Sequence, residues 1–187
     1  MDLFYLRHLL SYFQHQKITC NYQKMSNSKV ITLVVIDPAI RDFYILEKRI
    51  LEGMIPQAEV LIIEPDKTEI QQITRKIQKY PQLSDLHIIS QGSPGCLYLG
   101  NSRLSVHNFN YYAPQLRKWS ATNIFLYGCN LGSQEIGKKF ILRLYKTTGA
   151  KISTLTTNKE MHTKVGVGNW TTSEYTLIKP ELRALTA

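Results

Sequence analysis

The sequence is poor in cysteine and has no long apolar run. Its three cysteines, Cys20, Cys96 and Cys129, show neither a CxxC pair nor Cys/His ligand spacing, so no metal, cofactor or disulfide framework is predicted and a reducing compartment is favoured. Apolar runs stop short of the roughly 18 residues that a membrane-spanning helix needs. Residues 1–13 lack the basic start and small-residue cleavage site of a secretory signal. We therefore expect a cytoplasmic protein rather than a secreted one.

Acidic residues are also scarce relative to basic ones. There are 14 Asp and Glu against 23 Lys and Arg, which gives a net charge of +9. Such an excess can attract nucleic acid or an anionic membrane surface. The basic residues are, however, spread over several predicted helices, which favours a solvated surface and a protein or peptide partner over nucleic acid. These residues include Lys48, Arg49, Arg75, Lys76, Lys79, Lys138, Lys139, Arg143 and Lys146. The oligomeric state stays open.

The apolar residues that are present suffice for one domain. A chain of 187 residues with 43% hydrophobic content can build a five- or six-stranded sheet covered by helices. Residues 1–28 fit no periodic pattern, and we expect them to form an N-terminal arm, flexible relative to the domain or added by an upstream start codon. Residues 29–187 are predicted to form the domain, and Met25 is the alternative start.

Short apolar runs alternate with amphipathic stretches along the domain. The predicted strands are Val30–Ile36, Glu59–Ile63, Asp85–Ser90, Asn123–Tyr127, Ala150–Leu155 and Thr171–Ile178. Helical spacing predicts helices over 41–52 and Ser133–Thr148, the latter ending at Gly149. Strands that alternate with helices indicate an α/β fold, a three-layer α/β/α sandwich with a mostly parallel sheet.

Two further helices are predicted from their start signals. Asp66 with Glu69 three residues later resembles a capping box, and Pro81 closes that helix. Ser105 can cap another helix, which Pro114 kinks or splits. Between them, the Gly100-Asn101-Ser102 turn predicts a small β-hairpin.

Two of the predicted strands end at a glycine beside a chemically capable side chain. The first break reads Ser90-Gln91-Gly92-Ser93-Pro94-Gly95, and the second reads Tyr127-Gly128-Cys129-Asn130. Parallel strands joined by a crossover helix end at the same edge of a sheet, where open α/β folds build their sites. We therefore expect Cys129 to face Gln91. Asp37 ends the first strand at this edge. Three roles are open for it: a specificity residue, a structural residue or an ordinary turn cap.

Cys129 has the sequence position of a nucleophile. A cysteine nucleophile must be a thiolate, and a helix that starts near Ser133 would stabilise the anion. The competing interpretation is a small buried residue at the end of a strand. Spacing alone leaves both open.

The two breaks resemble an uncharacterised bacterial family of caspase-like, clan CD type domains, common near the N-termini of large cyanobacterial and proteobacterial surface and repeat proteins. The family reads Ser-His-Gly-Ser-Pro-Gly at the first break and Tyr-Gly-Cys-Asn at the second. The resemblance covers roughly residues 30–178 and implies a caspase-like sheet with Cys129 at the nucleophile position. Gln91 stands at the base position, where a carboxamide does not titrate near neutrality. A degenerate cysteine-peptidase-type domain that binds or scaffolds is therefore implied.

An active cysteine endopeptidase or self-processing domain is the alternative, with the base supplied from elsewhere. His162, in the loop after the fifth strand, is the candidate base, whereas His87 is expected in the core. Backbone N–H groups at the two breaks could still approach a ligand oxygen. The residues expected to line such a cleft are Gly92, Ser93, Gly128, Asn130 and Asp37. Ser93 lacks the GxSxG context of a nucleophile, and we expect it in a turn.

Overall fold

The structure is a computed structural model that describes residues 31–55, 57–66, 68–127, 130–155 and 172–175. The predicted arm at 1–28 lies outside these residues, and so do 156–171 and 176–187. The division into arm and domain therefore stays a prediction. None of the helices within the described ranges has the length and apolar character needed to cross a bilayer.

The described strands form one large sheet and one small one. The strands are β1 Ile31–Ile36, β2 Ala58–Ile62, β3 Leu83–Ile89, β4 Gly92–Ser93, β5 Cys96–Leu99, β6 Ser102–Ser105, β7 Asn123–Tyr127, β8 Lys151–Leu155 and β9 Thr172–Tyr175. The large sheet has the order β2-β1-β3-β7-β8-β9, in which neighbours are parallel except for the antiparallel pair β8 and β9. Strands β4, β5 and β6 form a small antiparallel sheet. The predicted mostly parallel α/β sheet is confirmed.

Helices cover both faces of the large sheet. They are α1 Phe43–Arg49, which continues into a π-helical turn at Ile50–Met54, α2 Glu69–Ile77, α3 Phe109–Leu116 and α4 Gln134–Thr148. Helices α2, α3 and α4 pack on one face in a single apolar cluster, and α1 packs on the other face. The predicted three layers follow from this arrangement.

The alternation of side chains along β1 shows why both faces are covered. Leu33 and Val35 pack with α2, α3 and α4, whereas Val34 and Ile36 pack with α1. All four side chains are fully buried. Successive strand residues point to opposite faces, so a strand that is buried on both faces must be apolar at nearly every position. The continuous apolar run that predicted this strand has that cause.

The predicted capping box at Asp66 is wrong. Helix α2 begins at Glu69 after Thr68, and the carboxylate of Asp66 instead accepts hydrogen bonds from the backbone N–H of Thr68 at 2.9 Å and from its hydroxyl at 2.6 Å. Glu69 is fully buried and faces the hairpin formed by β5 and β6. Its carboxylate is therefore used in tertiary contacts and not in a cap.

The predicted start of α3 at Ser105 is also wrong. The side-chain oxygen of Asn108 accepts hydrogen bonds from the Ser105 N–H at 2.8 Å and hydroxyl at 3.1 Å, which closes a turn before the helix begins at Phe109. Pro114 does not split the helix, which runs through it to Leu116. Because proline has no N–H, the helix lacks one backbone hydrogen bond at Pro114. Helix α4 ends as predicted, with Gly149 at a φ of 74°.

Candidate functional site

Three neighbouring strands end in register at the carboxyl edge of the large sheet. Ile36 of β1 pairs with Ile89 of β3, which pairs with Tyr127 of β7. Asp37 and Ser90 therefore leave the sheet side by side, and the Asp37 N–H donates to the Ile89 carbonyl at 2.9 Å. The expected adjacency of these strands is confirmed. Three residues of the candidate site, Gly128, Cys129 and His162, lie outside the described residues.

Gln91 lies two residues beyond the end of β3 with its side chain exposed. Its backbone is held: the carbonyl accepts hydrogen bonds from the Tyr98 N–H at 3.0 Å and the Ser90 hydroxyl at 3.1 Å. Ser90 itself is fully buried. The carboxamide is thus presented at the carboxyl edge by a backbone that the hairpin fixes.

Residues 92–96 form the predicted turn. Ser93 pairs with Cys96 across β4 and β5, so Pro94 and Gly95 are the two central residues. Gly95 has a φ of 71°. Proline followed by a residue with positive φ is typical of a type II turn. The hydroxyl oxygen of Ser93 lies 3.0 Å from that of Tyr98, a hydrogen bond that gives this serine a structural partner.

Gly95 also packs against helix α4. A Cβ atom built at this position would lie 2.9 Å from both the Cγ1 atom and the carbonyl oxygen of Ile136. The Gly95 N–H donates to the Leu131 carbonyl at 2.9 Å, which joins the first break to the loop that follows Cys129 in sequence. The two breaks are therefore neighbours, and at Gly95 the need for glycine comes both from the positive φ and from the close packing.

The loop before α4 is tightly held. Asn130 has a φ of 56°, and its carbonyl accepts hydrogen bonds from the Ser133 N–H at 3.0 Å and hydroxyl at 2.7 Å. A Cβ atom on Gly137 would lie 2.5 Å from the Leu131 carbonyl oxygen. The sequence reasoning missed Gly137, although a glycine inside an otherwise good helix indicates a packing or functional requirement.

Asp37 is a buried anchor for the hairpin as well as a turn cap. It is 2% exposed, one carboxylate oxygen accepts from the Ala39 N–H at 2.8 Å, and the other accepts from the Gly100 N–H at 2.8 Å. Both oxygens are thus engaged by backbone donors. This arrangement fits a structural role.

Glu69 is the second buried anchor, and the sequence reasoning missed its role. One of its oxygens accepts from the Asn101 N–H at 2.7 Å, and the other accepts from the Ser102 hydroxyl at 2.5 Å. The side-chain amide of Asn101 also donates to the Pro65 carbonyl at 2.6 Å. The tip of the hairpin is therefore fixed to the carboxyl edge by two carboxylates from different elements.

His87 lies within the sheet, as predicted for a core histidine. It is 2% exposed, its Nδ1 atom lies 2.8 Å from the Tyr127 hydroxyl oxygen, and its ring stacks on Phe125 with centroids 4.6 Å apart. Burial lowers the pKa of this imidazole to about 3. His87 is therefore neutral at physiological pH.

The described residues hold one cysteine, Cys96, which is half-buried on β5. Burial raises the pKa of its thiol, and the nearby positive charge of Arg103 only partly opposes that effect. A raised pKa keeps the thiol protonated and unreactive. Within the described ranges, no group of three or more side chains of metal-ligating type comes together.

The sequence and structure were compared with known proteins. The family described as "Domain of unknown function (DUF4347)" matches residues 33–181. No curated protein matches the sequence. Among solved structures, the chain is similar to the crystal structure of caspase-1 from Spodoptera frugiperda, with 17% identity over 56% of this chain and 50% of that chain and a TM-score of 0.35. The match spans half the length of the caspase chain.

Proposed function

This chain belongs to the DUF4347 family, and we propose that it is a catalytically degenerate, caspase-like domain of the cysteine-peptidase type that acts as a binding or scaffolding module. The observation that carries the proposal is Gln91. Its exposed carboxamide stands at the carboxyl edge of the sheet, at the position that the motif resemblance assigns to the base histidine.

A cysteine peptidase needs a group that accepts the thiol proton. The carboxamide of Gln91 donates and accepts hydrogen bonds but does not take up a proton near neutral pH. Members of a catalytic pair act as a unit, so that loss of one removes most of the activity. A retained Cys129 is then a nucleophile position without its base.

Two other titratable groups near this edge are poor substitutes. His87 lies four residues before Gln91, about 13 Å away along an extended strand at about 3.3 Å per residue, and its Nδ1 atom is already bonded to the Tyr127 hydroxyl. Asp37 uses both carboxylate oxygens to hold backbone N–H groups. Both groups would have to give up these contacts in order to accept a proton from a thiol.

The retained part of the site is suited to binding. Exposed backbone and glycine at strand ends can donate hydrogen bonds to a carbonyl or carboxylate oxygen, and this function does not need a base. We propose that Gly92, Ser93, Gly128 and Asn130 line the cleft and that its ligand is a peptide segment. The hairpin, fixed by Asp37 and Glu69, forms one wall.

The peptidase question is decided by comparing the unmodified chain with Cys129→Ala. Both are incubated with a broad peptide library and monitored for cleavage of the library and of the chain itself. We expect no cleavage from either. Cleavage by the unmodified chain that disappears in Cys129→Ala would establish the alternative, an active or self-processing cysteine endopeptidase, and His162→Ala would then test the candidate base.

The base position is tested by Gln91→His, with Gln91→Asn as the matched control that changes length but not titration. We expect Gln91→His to raise alkylation of Cys129 by iodoacetamide at pH 7, because an imidazole promotes thiolate formation. Cys96 serves as the internal reference in peptide mapping, since burial raises the pKa of its thiol. Equal rates in the two variants would argue against this pairing of positions 91 and 129.

The binding role is tested by selecting peptides from a displayed library on the unmodified chain. Selected peptides should bind Cys129→Ala equally well and should be lost in Gln91→Trp, which places a large ring at the exposed carboxyl edge. Lys118→Trp is the matched control, because Lys118 is exposed and follows α3 by two residues. Equal loss in both tryptophan variants would contradict a cleft at Gln91.

A further inference from the structure

Among the described residues, the positive charge is concentrated on one layer of the sandwich. Helices α2, α3 and α4 with the residues directly after them (69–79, 109–118 and 134–149) contain nine basic and two acidic residues, a net charge of +7, whereas all described residues together carry +3. The α1 layer over 41–54 contains three basic and three acidic residues, a net charge of zero. Basic residues that are scattered in sequence are thus gathered on one face.

The topology places many of these cations away from the candidate site. Each of α2, α3 and α4 returns from the carboxyl edge to the amino edge of the sheet, so their C-terminal ends lie together at the amino edge. The Trp119 indole N–H donates to the Thr74 hydroxyl at 2.9 Å, which joins the end of α3 to α2. Arg75 and Lys118 adjoin these two residues, and Lys146 lies in the last turn of α4.

Internal contacts account for only part of this charge. Lys76 pairs with Glu59 at 3.2 Å, Lys138 pairs with Glu135 at 2.8 Å, and Arg143 donates to the Val106 carbonyl at 2.7 Å. Six exposed cations of the layer have no ion-pair partner in the described part of the chain: Arg75, Lys79, Arg117, Lys118, Lys139 and Lys146. A cation at a helix C-terminus suits the helix dipole, and this layer carries more cations than its three helix ends require.

The described apolar surface narrows the choice of partner. Of the large hydrophobic side chains that are exposed in the described residues, Tyr111 is on this layer at 73% exposure, whereas Tyr44 and Leu51 lie on the α1 side. A protein interface is centred on an apolar core, and a helix on a membrane inserts an apolar face. Contacts of Lys and Arg with phosphates need neither an apolar core nor an apolar helix face. One exposed aromatic ring can stack on a base.

We infer that this face, the exposed surface of α2, α3 and α4, binds single-stranded nucleic acid through its phosphates, with Tyr111 stacking on a base. The inference is independent of the proposed peptide cleft, since the C-terminal cations lie at the opposite edge of the sheet. Arg143 is left out of the binding set because it holds α4 to the turn before α3.

The test measures binding of the full chain to a labelled single strand of about 20 nucleotides by fluorescence anisotropy, from about 50 to 200 mM salt. The variant Arg75→Gln, Lys118→Gln, Lys146→Gln is compared with Arg41→Gln, Lys48→Gln, Arg49→Gln on the α1 side. Both carry a net charge of +6 instead of +9 and change exposed residues, and thermal unfolding verifies that both fold.

Each lost phosphate contact reduces the slope of log affinity against log salt concentration by about 0.7. The variant Arg75→Gln, Lys118→Gln, Lys146→Gln loses three such contacts, so its affinity at about 0.1 M salt should fall about 100-fold. The control triple should stay close to the unmodified chain, and Tyr111→Ala should weaken binding at least about fivefold. Equal losses in the two triples, no binding at about 50 mM salt, or an unchanged affinity of Tyr111→Ala would overturn the inference. Binding to phosphatidylserine vesicles without binding to the oligonucleotide would overturn it in favour of a membrane surface.

Discussion

Acidification should destabilise the domain through His87. Burial lowers the pKa of this imidazole to about 3, whereas an unfolded histidine titrates near about 6.5. Between these values the unfolded chain binds a proton that the folded chain excludes, so the stabilisation is complete above about pH 6.5 and is lost as the pH falls toward about 3. Because pH 5 lies about 1.5 units below the pKa of the unfolded histidine, acidification to pH 5 lowers the free energy of unfolding by about 2 kcal/mol, at about 1.36 kcal/mol per unit. That is a large fraction of a typical stability of about 5–15 kcal/mol.

Urea unfolding at about pH 7.5 and 5 measures the loss. Carboxylates also titrate in this range, so the effect of His87 is isolated by difference with the double variant His87→Phe, Tyr127→Phe. That variant removes both partners of the 2.8 Å contact at once, so neither of the two is left without the other. The unmodified chain should lose about 2 kcal/mol more than the variant on acidification.

If the unmodified chain and the double variant lose the same free energy between the two pH values, His87 is not held neutral by burial.

Three further predictions follow from the packing and from the sequence. Gly137→Ala should destabilise the domain by about 1–3 kcal/mol in urea unfolding, because its Cβ would lie 2.5 Å from the Leu131 carbonyl oxygen. The control Lys139→Ala changes an exposed residue of the same helix and should alter the stability by less than about 0.5 kcal/mol. A Gly137→Ala variant that is more stable than the unmodified chain would contradict the packing. Glu69→Ala should lower the free energy of unfolding by about 2–4 kcal/mol, because it leaves the Asn101 N–H and the Ser102 hydroxyl without their charged acceptor. The matched control is Glu135→Ala, which removes an exposed carboxylate. Equal losses of stability in the two variants would argue against Glu69 as the anchor of the hairpin. A chain that starts at Met25 should unfold within about 1 kcal/mol of the full chain, and a loss above about 2 kcal/mol would show that residues 1–24 pack on the domain.

Strand positions were largely predictable because the cause of a buried strand is local. The strand Asn123–Tyr127 was predicted with the bounds that the structure shows, and the predicted first strand Val30–Ile36 is confirmed over its described residues, Ile31–Ile36. A strand covered on both faces must be apolar throughout, and this requirement is visible in a short stretch of sequence. Alternation with helices then implied parallel strands, so the edge that carries Gln91 followed from topology.

The contacts that shape the edge were not predictable, because they join residues far apart in sequence. Asp37 and Gly100 are 63 positions apart, and Glu69 and Ser102 are 33 apart. A helical pattern predicts that Glu69 lies in the first turn of a helix but cannot say that the carboxylate is buried against a hairpin. The close approach that requires glycine at 137 has the same origin, since only packing brings the Leu131 carbonyl against that helix.

The net charge, the alternation of strands and helices, and a glutamine instead of a titratable residue at position 91 can all be read from residue identity and order. Tertiary structure alone decided where the charge lies. The basic residues of α2, α3 and α4 share one face because these three crossover helices pack side by side on the same side of a parallel sheet. Charges on separate segments act together only when packing brings those segments into one surface.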